Sequence, residues 1–122
     1  MRWNARLKSY MKGDVVYLGH IVEAISKIEK YLGKQTLEEF LASDITQDAV
    51  VRQFEIIGEA SRNVSERFKD KHPGVAWYKA TAMRNIIIHE YFYVNLEMVY
   101  DTARKDLPDL KMKVQAIISE LK

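Results

Sequence analysis

An arginine and a histidine interrupt an apolar run in the segment RNIIIHEYF, residues 84 to 92. Arg84 offers a permanent positive charge and a fork of N–H donors that fits phosphate oxygens. His89 can exchange a proton near neutral pH, and Asn85 adds a neutral donor and acceptor. RNA can be cleaved by its own 2′-hydroxyl, and that reaction needs a proton-transfer group and a cation for the charge that develops around phosphorus. These residue types could supply both without a metal.

The spacing of these residues restricts how they could act together. On a regular helix Arg84 and Tyr91 share one face, whereas His89 lies about 140° from Arg84 around the axis. The two could still meet if the helix ends near His89, or if their long side chains wrap around a groove. They could also meet if Arg84 of one copy faces His89 of a second copy. This last arrangement suits a small chain, and the three isoleucines between Arg84 and His89, residues 86 to 88, could form the apolar contact between the two copies.

Structural roles also fit this local pattern. The helix dipole favours a cationic histidine near a C-terminus, and an arginine beside it is often solvated or ion-paired. Tyr91 is compatible with a half-buried aromatic residue whose hydroxyl reaches the surface. His20 and His72 fit surface or cap positions, and the sequence has no His-x3-His spacing, phosphate-binding loop or dinucleotide motif. We therefore expect no metal or cofactor, and the local spacing leaves catalytic and structural roles open.

The composition indicates one small cytoplasmic domain. The chain has 122 residues, of which 48% are hydrophobic and 30% charged, enough for a single core. The absence of cysteine excludes disulfides and thiol nucleophiles and suits a reducing compartment. No apolar stretch approaches the roughly 20 residues that cross a bilayer. The net charge of +2 is too small to indicate a general nucleic-acid binder. A chain of this size can gain stability by pairing with itself, which favours a homodimer.

The elements that must position the segment are helical throughout, because no stretch alternates like a strand. Residues 1–12 lack a sustained apolar stripe and predict a flexible basic arm, followed by a single domain over residues 13–122. Asp14 is predicted to cap the first helix, and Gly33 to end it. The basic residues of the arm are Arg2, Arg6, Lys8 and Lys12. The apolar stripe of the first helix is Leu18, Ile21, Ile25, Ile28 and Leu32.

Two further helices are predicted before the segment. Thr36 and Glu39 form a possible capping box for a short helix. A longer helix follows from Thr46 to the break at DKHPG, and Gly58 in its middle suggests close packing against another helix. The apolar seam of this longer helix is Val50, Phe54, Ile57, Ser61, Val64 and Phe68.

The remaining helices carry the segment and complete the domain. One starts near Trp77 and carries RNIIIHEYF towards its C-terminal end. Asn95 is predicted to cap the last helical segment or pair, which Pro108 either kinks or restarts from a first-turn position. The chain as a whole predicts an all-α, up-and-down bundle of about four or five helices.

Three separated blocks of the sequence resemble the HepT-like branch of the HEPN superfamily of prokaryotic helical proteins. In chain order they are QDAVVRQFEIIGEA, MRNIIIHEYF and DLPDLK, and the resemblance runs from about residue 14 to the C-terminus. The family signature is Arg-x4-His-x-Tyr, which Arg84, His89 and Tyr91 match. Asn85 matches the polar residue that usually follows the arginine.

This resemblance implies the toxin of a type VII toxin–antitoxin system, a metal-independent endoribonuclease encoded beside an MntA-like minimal nucleotidyltransferase antitoxin. It implies an active groove between two protomers, in which Arg84 binds the scissile phosphate of an RNA substrate and His89 is the general acid or base. Asn85 would orient one of them. Tyr91 would accept AMP from the nucleotidyltransferase, which would silence the toxin.

Two other readings remain open. In one, the chain is a non-catalytic HEPN module that binds the nucleotidyltransferase and presents substrate or nucleotide to it. In the other, it is a plain helical dimerisation domain.

Overall fold

The chain folds into helices connected by short loops. A computed structural model describes the backbone of residues 5–89 and 95–121, and the side chains of residues 13–84 and 95–121. Within these residues the backbone forms helices and no strand, which confirms the all-α prediction. The helices are α1 (Ala5–Leu32), α2 (Leu37–Leu41), α3 (Asp44–Asn63), α4 (Glu66–Lys71), α5 (Trp77–His89), α6 (Leu96–Lys105) and α7 (Leu107–Leu121).

The first helix begins earlier than predicted. Because α1 starts at Ala5, Asp14 lies inside the helix and the prediction that it caps the N-terminus is wrong. Residues 5–12 lack an apolar stripe but are mostly good helix formers, which favours an earlier start of the helix. The buried Asp14 carboxylate instead accepts hydrogen bonds from the Ser65 backbone N–H, at 2.8 Å, and hydroxyl, at 2.9 Å. The division into an arm and a domain at residue 13 stays a prediction.

The third helix ends earlier than its apolar seam predicted. α3 ends at Asn63, Val64 is extended, and Ser65 caps a separate helix by accepting a hydrogen bond from the Phe68 N–H. The seam concealed this break because Val64 and Phe68 are buried as predicted, although they belong to different elements. Together with the separation of α6 from α7, the break gives the described residues seven helical segments, more than predicted.

Most predicted helix ends are confirmed. Thr36 and Glu39 form the capping box of α2. Gly33 ends α1 with a positive φ of 51°, a conformation that glycine adopts without steric cost. Asn95 caps α6, and Pro108 lies in the first turn of α7, where its missing N–H does no harm.

The core forms where α1 packs against α3 and α7, and α5 packs against α3. The predicted stripe of α1 is buried along its whole length: Leu18, Ile21, Ile25, Ile28 and Leu32. None of the helices in the described residues is both long and apolar enough to cross a membrane.

Candidate active site

Arg84 is positioned by a close contact between α5 and α3. A Cβ atom on Gly58 of α3 would lie 2.6 Å from the backbone nitrogen of Arg84 and 2.9 Å from its Cα. Real Cβ atoms do not approach other atoms this closely, so only glycine permits this packing. The predicted role of Gly58 in close helix packing is therefore confirmed, and the same contact fixes the position of Arg84 over α3.

The Arg84 guanidinium pairs through Nε with the Glu59 carboxylate of α3. Both side chains remain partly in contact with solvent, with 30% of Arg84 and 46% of Glu59 exposed. An ion pair at this exposure contributes little to folding, because water screens it. The guanidinium can therefore exchange the carboxylate for another anion at small cost.

Arg84 lines an open cleft of about 430 Å³ between α1, α3 and α5. This volume lies within the range of sites that hold small molecules or single nucleotides. α1 contributes Tyr17 and His20 to the cleft. One face of α3 contributes the remaining residues, which recur at helical spacing: Arg52, Glu55, Ile56, Glu59, Ala60 and Asn63.

The arginines and carboxylates among the described residues of the cleft balance each other in charge. Besides the Arg84–Glu59 pair, Arg52 Nη1 lies 3.2 Å from Glu55 Oε2. Two arginines thus face two carboxylates within one cleft. An anionic ligand would bind where an arginine releases or shares its carboxylate, which agrees with the small net charge of the chain.

The predicted site residues beyond Arg84 are described only in part. The backbone of Asn85 and His89 continues α5, as the angular argument assumed, but their side chains lie outside the described residues. Tyr91 lies outside the described residues altogether. The convergence of Arg84 with His89 and the roles of Asn85 and Tyr91 stay predictions.

Sequence reasoning missed Glu59 as the partner of Arg84 and the contribution of α1 to the cleft. His20 is exposed, as predicted for a surface residue, and it also lines the cleft. Polar residues recur at helical spacing on α3 beside its buried apolar seam. This pattern could have indicated that α3 has a functional face next to its core-facing one. It could not have shown that α1 and α5 flank that face, because this depends on tertiary packing.

Comparison with known proteins places the chain among ribonucleases. The family model described as Ribonuclease HepT-like matches residues 21–117. The "Probable ribonuclease HepT" of Thermococcus cleftensis is 42% identical over 101 residues, which cover 83% of this chain and 92% of that relative. A "Putative RNase" of Caldanaerobacter subterraneus is 35% identical over 112 residues, covering 92% of this chain and 100% of the relative.

A longer relative carries a second named activity. The "Gamma-glutamylcyclotransferase and putative RNase" of Methanocaldococcus jannaschii is 41% identical over 112 residues, or 91% of this chain. The match spans half the length of that relative, 50%. No solved structure shows a significant match to the chain. The family match covers most of the chain and two relatives align over nearly their full length, so the chain belongs to the HepT-like ribonuclease family.

Proposed function

We propose that this protein is a metal-independent endoribonuclease and the toxin of a type VII toxin–antitoxin system. The observation that carries this proposal is the position of Arg84, the first residue of the Arg-x4-His-x-Tyr pattern. It lies in a solvent-open cleft of nucleotide size, in a chain of the HepT-like ribonuclease family. The names of the relatives support RNA as the substrate.

The proposed reaction needs only the RNA and the protein's own side chains. The 2′-oxygen attacks the adjacent phosphorus, and the bond from phosphorus to the 5′-oxygen breaks. The products are a 2′,3′-cyclic phosphate and a 5′-hydroxyl, so no oxidant or water enters this step. His89 exchanges the proton of the attacking or the leaving oxygen, and Asn85 orients one of the reacting groups.

Arg84 stabilises the negative charge that grows on the phosphoryl oxygens during this step. In the free protein its guanidinium is held by Glu59. We expect the scissile phosphate to take the place of that carboxylate, or to bind the guanidinium nitrogens on either side of it. In the second case Glu59 would still hold the guanidinium when RNA arrives, which lowers the cost of ordering it.

The active groove is proposed to form between two protomers. Arg84 and His89 lie about 140° apart around α5, so one regular helix does not direct both to the same point. A homodimer in which Arg84 of one copy faces His89 of the other would join them. The partly exposed Arg84 is compatible with such a shared groove.

Neutralisation is proposed to occur by transfer of AMP to Tyr91 from an MntA-like minimal nucleotidyltransferase. The modification adds negative charge and bulk, and Tyr91 stands two residues from His89. Both effects would oppose the binding of an RNA phosphate. Co-expression of the two proteins followed by mass spectrometry tests this step: an unmodified Tyr91 in an inactive, co-expressed protein would exclude it.

Expression in cells tests the proposed activity. The wild type and the His89→Ala variant are expressed from a tightly controlled promoter without the neighbouring gene, and growth and RNA integrity are followed. We expect the wild type to arrest growth and fragment RNA, and a folded His89→Ala protein to do neither. Equal harm from both folded proteins would exclude a catalytic His89.

One observation favours a second candidate function, in which the protein is not an enzyme and acts by binding the nucleotidyltransferase. Among the described residues of the cleft each arginine faces a carboxylate, so these residues offer no excess positive charge to RNA. If both proteins are harmless and the wild type co-purifies with the nucleotidyltransferase, this second function is the better account.

A further inference from the structure

We propose that the cleft beside Arg84 is a binding subsite for one nucleotide of single-stranded RNA, adjacent to the phosphate that Arg84 holds. This proposal rests on the proposed ribonuclease function, and it adds α1 to the substrate-binding surface. Tyr17, His20 and Asn63 are the residues assigned to the base of this nucleotide. The segment RNIIIHEYF contains none of them.

α1 lines the cleft with aromatic side chains. Tyr17 and His20 stand three residues apart on α1, and their rings lie 6.1 Å apart at an angle of 80°. In this edge-to-face arrangement the two rings are not stacked on each other, so each keeps at least one face that the other does not approach. Unpaired RNA bases bind proteins by stacking on such faces, and every base has a face to offer. The exposed His20 is accessible to a base from solvent.

α3 lines the cleft with both polar and apolar side chains. Asn63 carries both a donor and an acceptor, the pair of groups that can read the edge of a base. Its Nδ2 donates to the Glu59 backbone oxygen at 3.0 Å, which holds the side chain on the wall formed by α3. Ile56 and Ala60 line the cleft between the polar groups, where they can contact the plane of a base or a ribose.

The position of Arg84 in the same cleft identifies the ligand as a nucleotide rather than a plain aromatic molecule. A nucleotide combines an aromatic base with an anionic phosphate, and the cleft combines aromatic rings with a guanidinium. A double helix does not fit this description, because its bases are stacked on each other and are unavailable to Tyr17 and His20.

The binding of an uncleavable RNA tests the subsite without relying on catalysis. The probes are single-stranded 2′-O-methyl hexanucleotides of adenine or uracil, which lack the attacking hydroxyl, and the dissociation constant is measured by fluorescence anisotropy. The variants are His20→Ala and Asn63→Ala, with Tyr78→Ala as a matched control. Tyr78 is 77% exposed on α5 and does not line the cleft. Tyr17 is left intact because it packs against the core.

We expect His20→Ala to weaken binding at least about fivefold, the lower end of what base stacking on a side chain contributes. Asn63→Ala should change the ratio between the adenine and uracil probes, and Tyr78→Ala should leave both dissociation constants unchanged. On a cleavable RNA, His20→Ala should raise KM more than it lowers kcat. Binding that is equal in the wild type and both cleft variants would overturn the subsite.

The two proposals fail in different ways in this experiment. A wild type that cuts RNA, with cleft variants that bind and cut as it does, excludes the subsite and leaves the ribonuclease in place. A wild type that binds the probes through His20 but cuts no RNA supports the subsite and excludes the ribonuclease. A wild type that binds neither probe excludes the subsite whatever its activity.

Discussion

Arg84 is expected to bind two different anions, one in the free protein and one during catalysis. In the free protein its partner is the Glu59 carboxylate, and during catalysis it would be a phosphate. The sequence pattern identified Arg84 as a candidate residue, but Glu59 lies 25 positions earlier, where no spacing rule connects the two. Their pairing follows from the crossing of α3 and α5 at Gly58.

Replacing the carboxylate by an amide should strengthen RNA binding. In Glu59→Gln the guanidinium loses its carboxylate partner, and the net charge of the cleft rises by one unit. Because exposed ion pairs are weak, we expect the dissociation constant for single-stranded RNA to fall by no more than about fivefold. The measurement is fluorescence anisotropy at fixed salt concentration.

The matched control for this change is Glu23→Gln. Glu23 pairs with Lys27 on α1, its side chain is 65% exposed, and it does not line the cleft. The control should change RNA affinity much less than Glu59→Gln. Weaker binding by Glu59→Gln than by the wild type would show that Glu59 positions Arg84 and does not compete with the phosphate.

At the scale of elements, the crossing of α3 and α5 determines where the site lies. Replacing Gly58 by alanine should force the helices apart, because the added Cβ would meet the backbone of Arg84. We expect Gly58→Ala to lower the free energy of unfolding by about 1–3 kcal/mol, as overpacking does elsewhere. Urea unfolding followed by circular dichroism measures this loss.

Gly19→Ala is the matched control for this substitution. Gly19 lies within α1, and a Cβ there would meet no atom within 4 Å. Alanine favours a helix over glycine by up to about 1 kcal/mol, so the control should be neutral or stabilising. If the two variants had equal stability, the close contact at Gly58 would be contradicted.

Local signals in the sequence predicted most elements and their ends. The capping box at Thr36, the glycine at position 33 and the cap at Asn95 follow rules that act within one helical turn, and each is confirmed. The predictions that were wrong involve residues that are far apart in the sequence. Asp14 was assigned to a local cap, whereas it binds Ser65, 51 residues away in the chain. The break at Val64 was missed because burial continues across it.

At the scale of the whole molecule, the account requires two copies. The resemblance to the HepT-like family implies a groove shared between two protomers, and the angle between Arg84 and His89 is compatible with it. The predicted homodimer can be tested by mixing two inactive variants. Arg84→Ala and His89→Ala should each be inactive alone. If each groove takes Arg84 from one copy and His89 from the other, mixed dimers contain one intact groove.

Unfolding and refolding an equal mixture should then restore about a quarter of the wild-type activity, since half of the dimers are mixed and half of their grooves are intact. Recovery is measured as the initial rate of RNA cleavage. Each variant refolded alone provides the baseline. A mixture that stays at this baseline, with mixed dimers demonstrated by mass spectrometry, would contradict a groove shared between protomers.

If this protein cuts RNA with its own side chains, cleavage should require His89 but no divalent metal. The purified wild type and a folded His89→Ala variant are incubated with single-stranded RNA in excess EDTA, and the product ends are identified. The account predicts that the wild type produces 2′,3′-cyclic phosphate ends, that the variant loses at least about a hundredfold in rate, and that 2′-O-methyl RNA stays intact. Cleavage that requires a divalent metal, or that proceeds equally well in His89→Ala, would contradict the account.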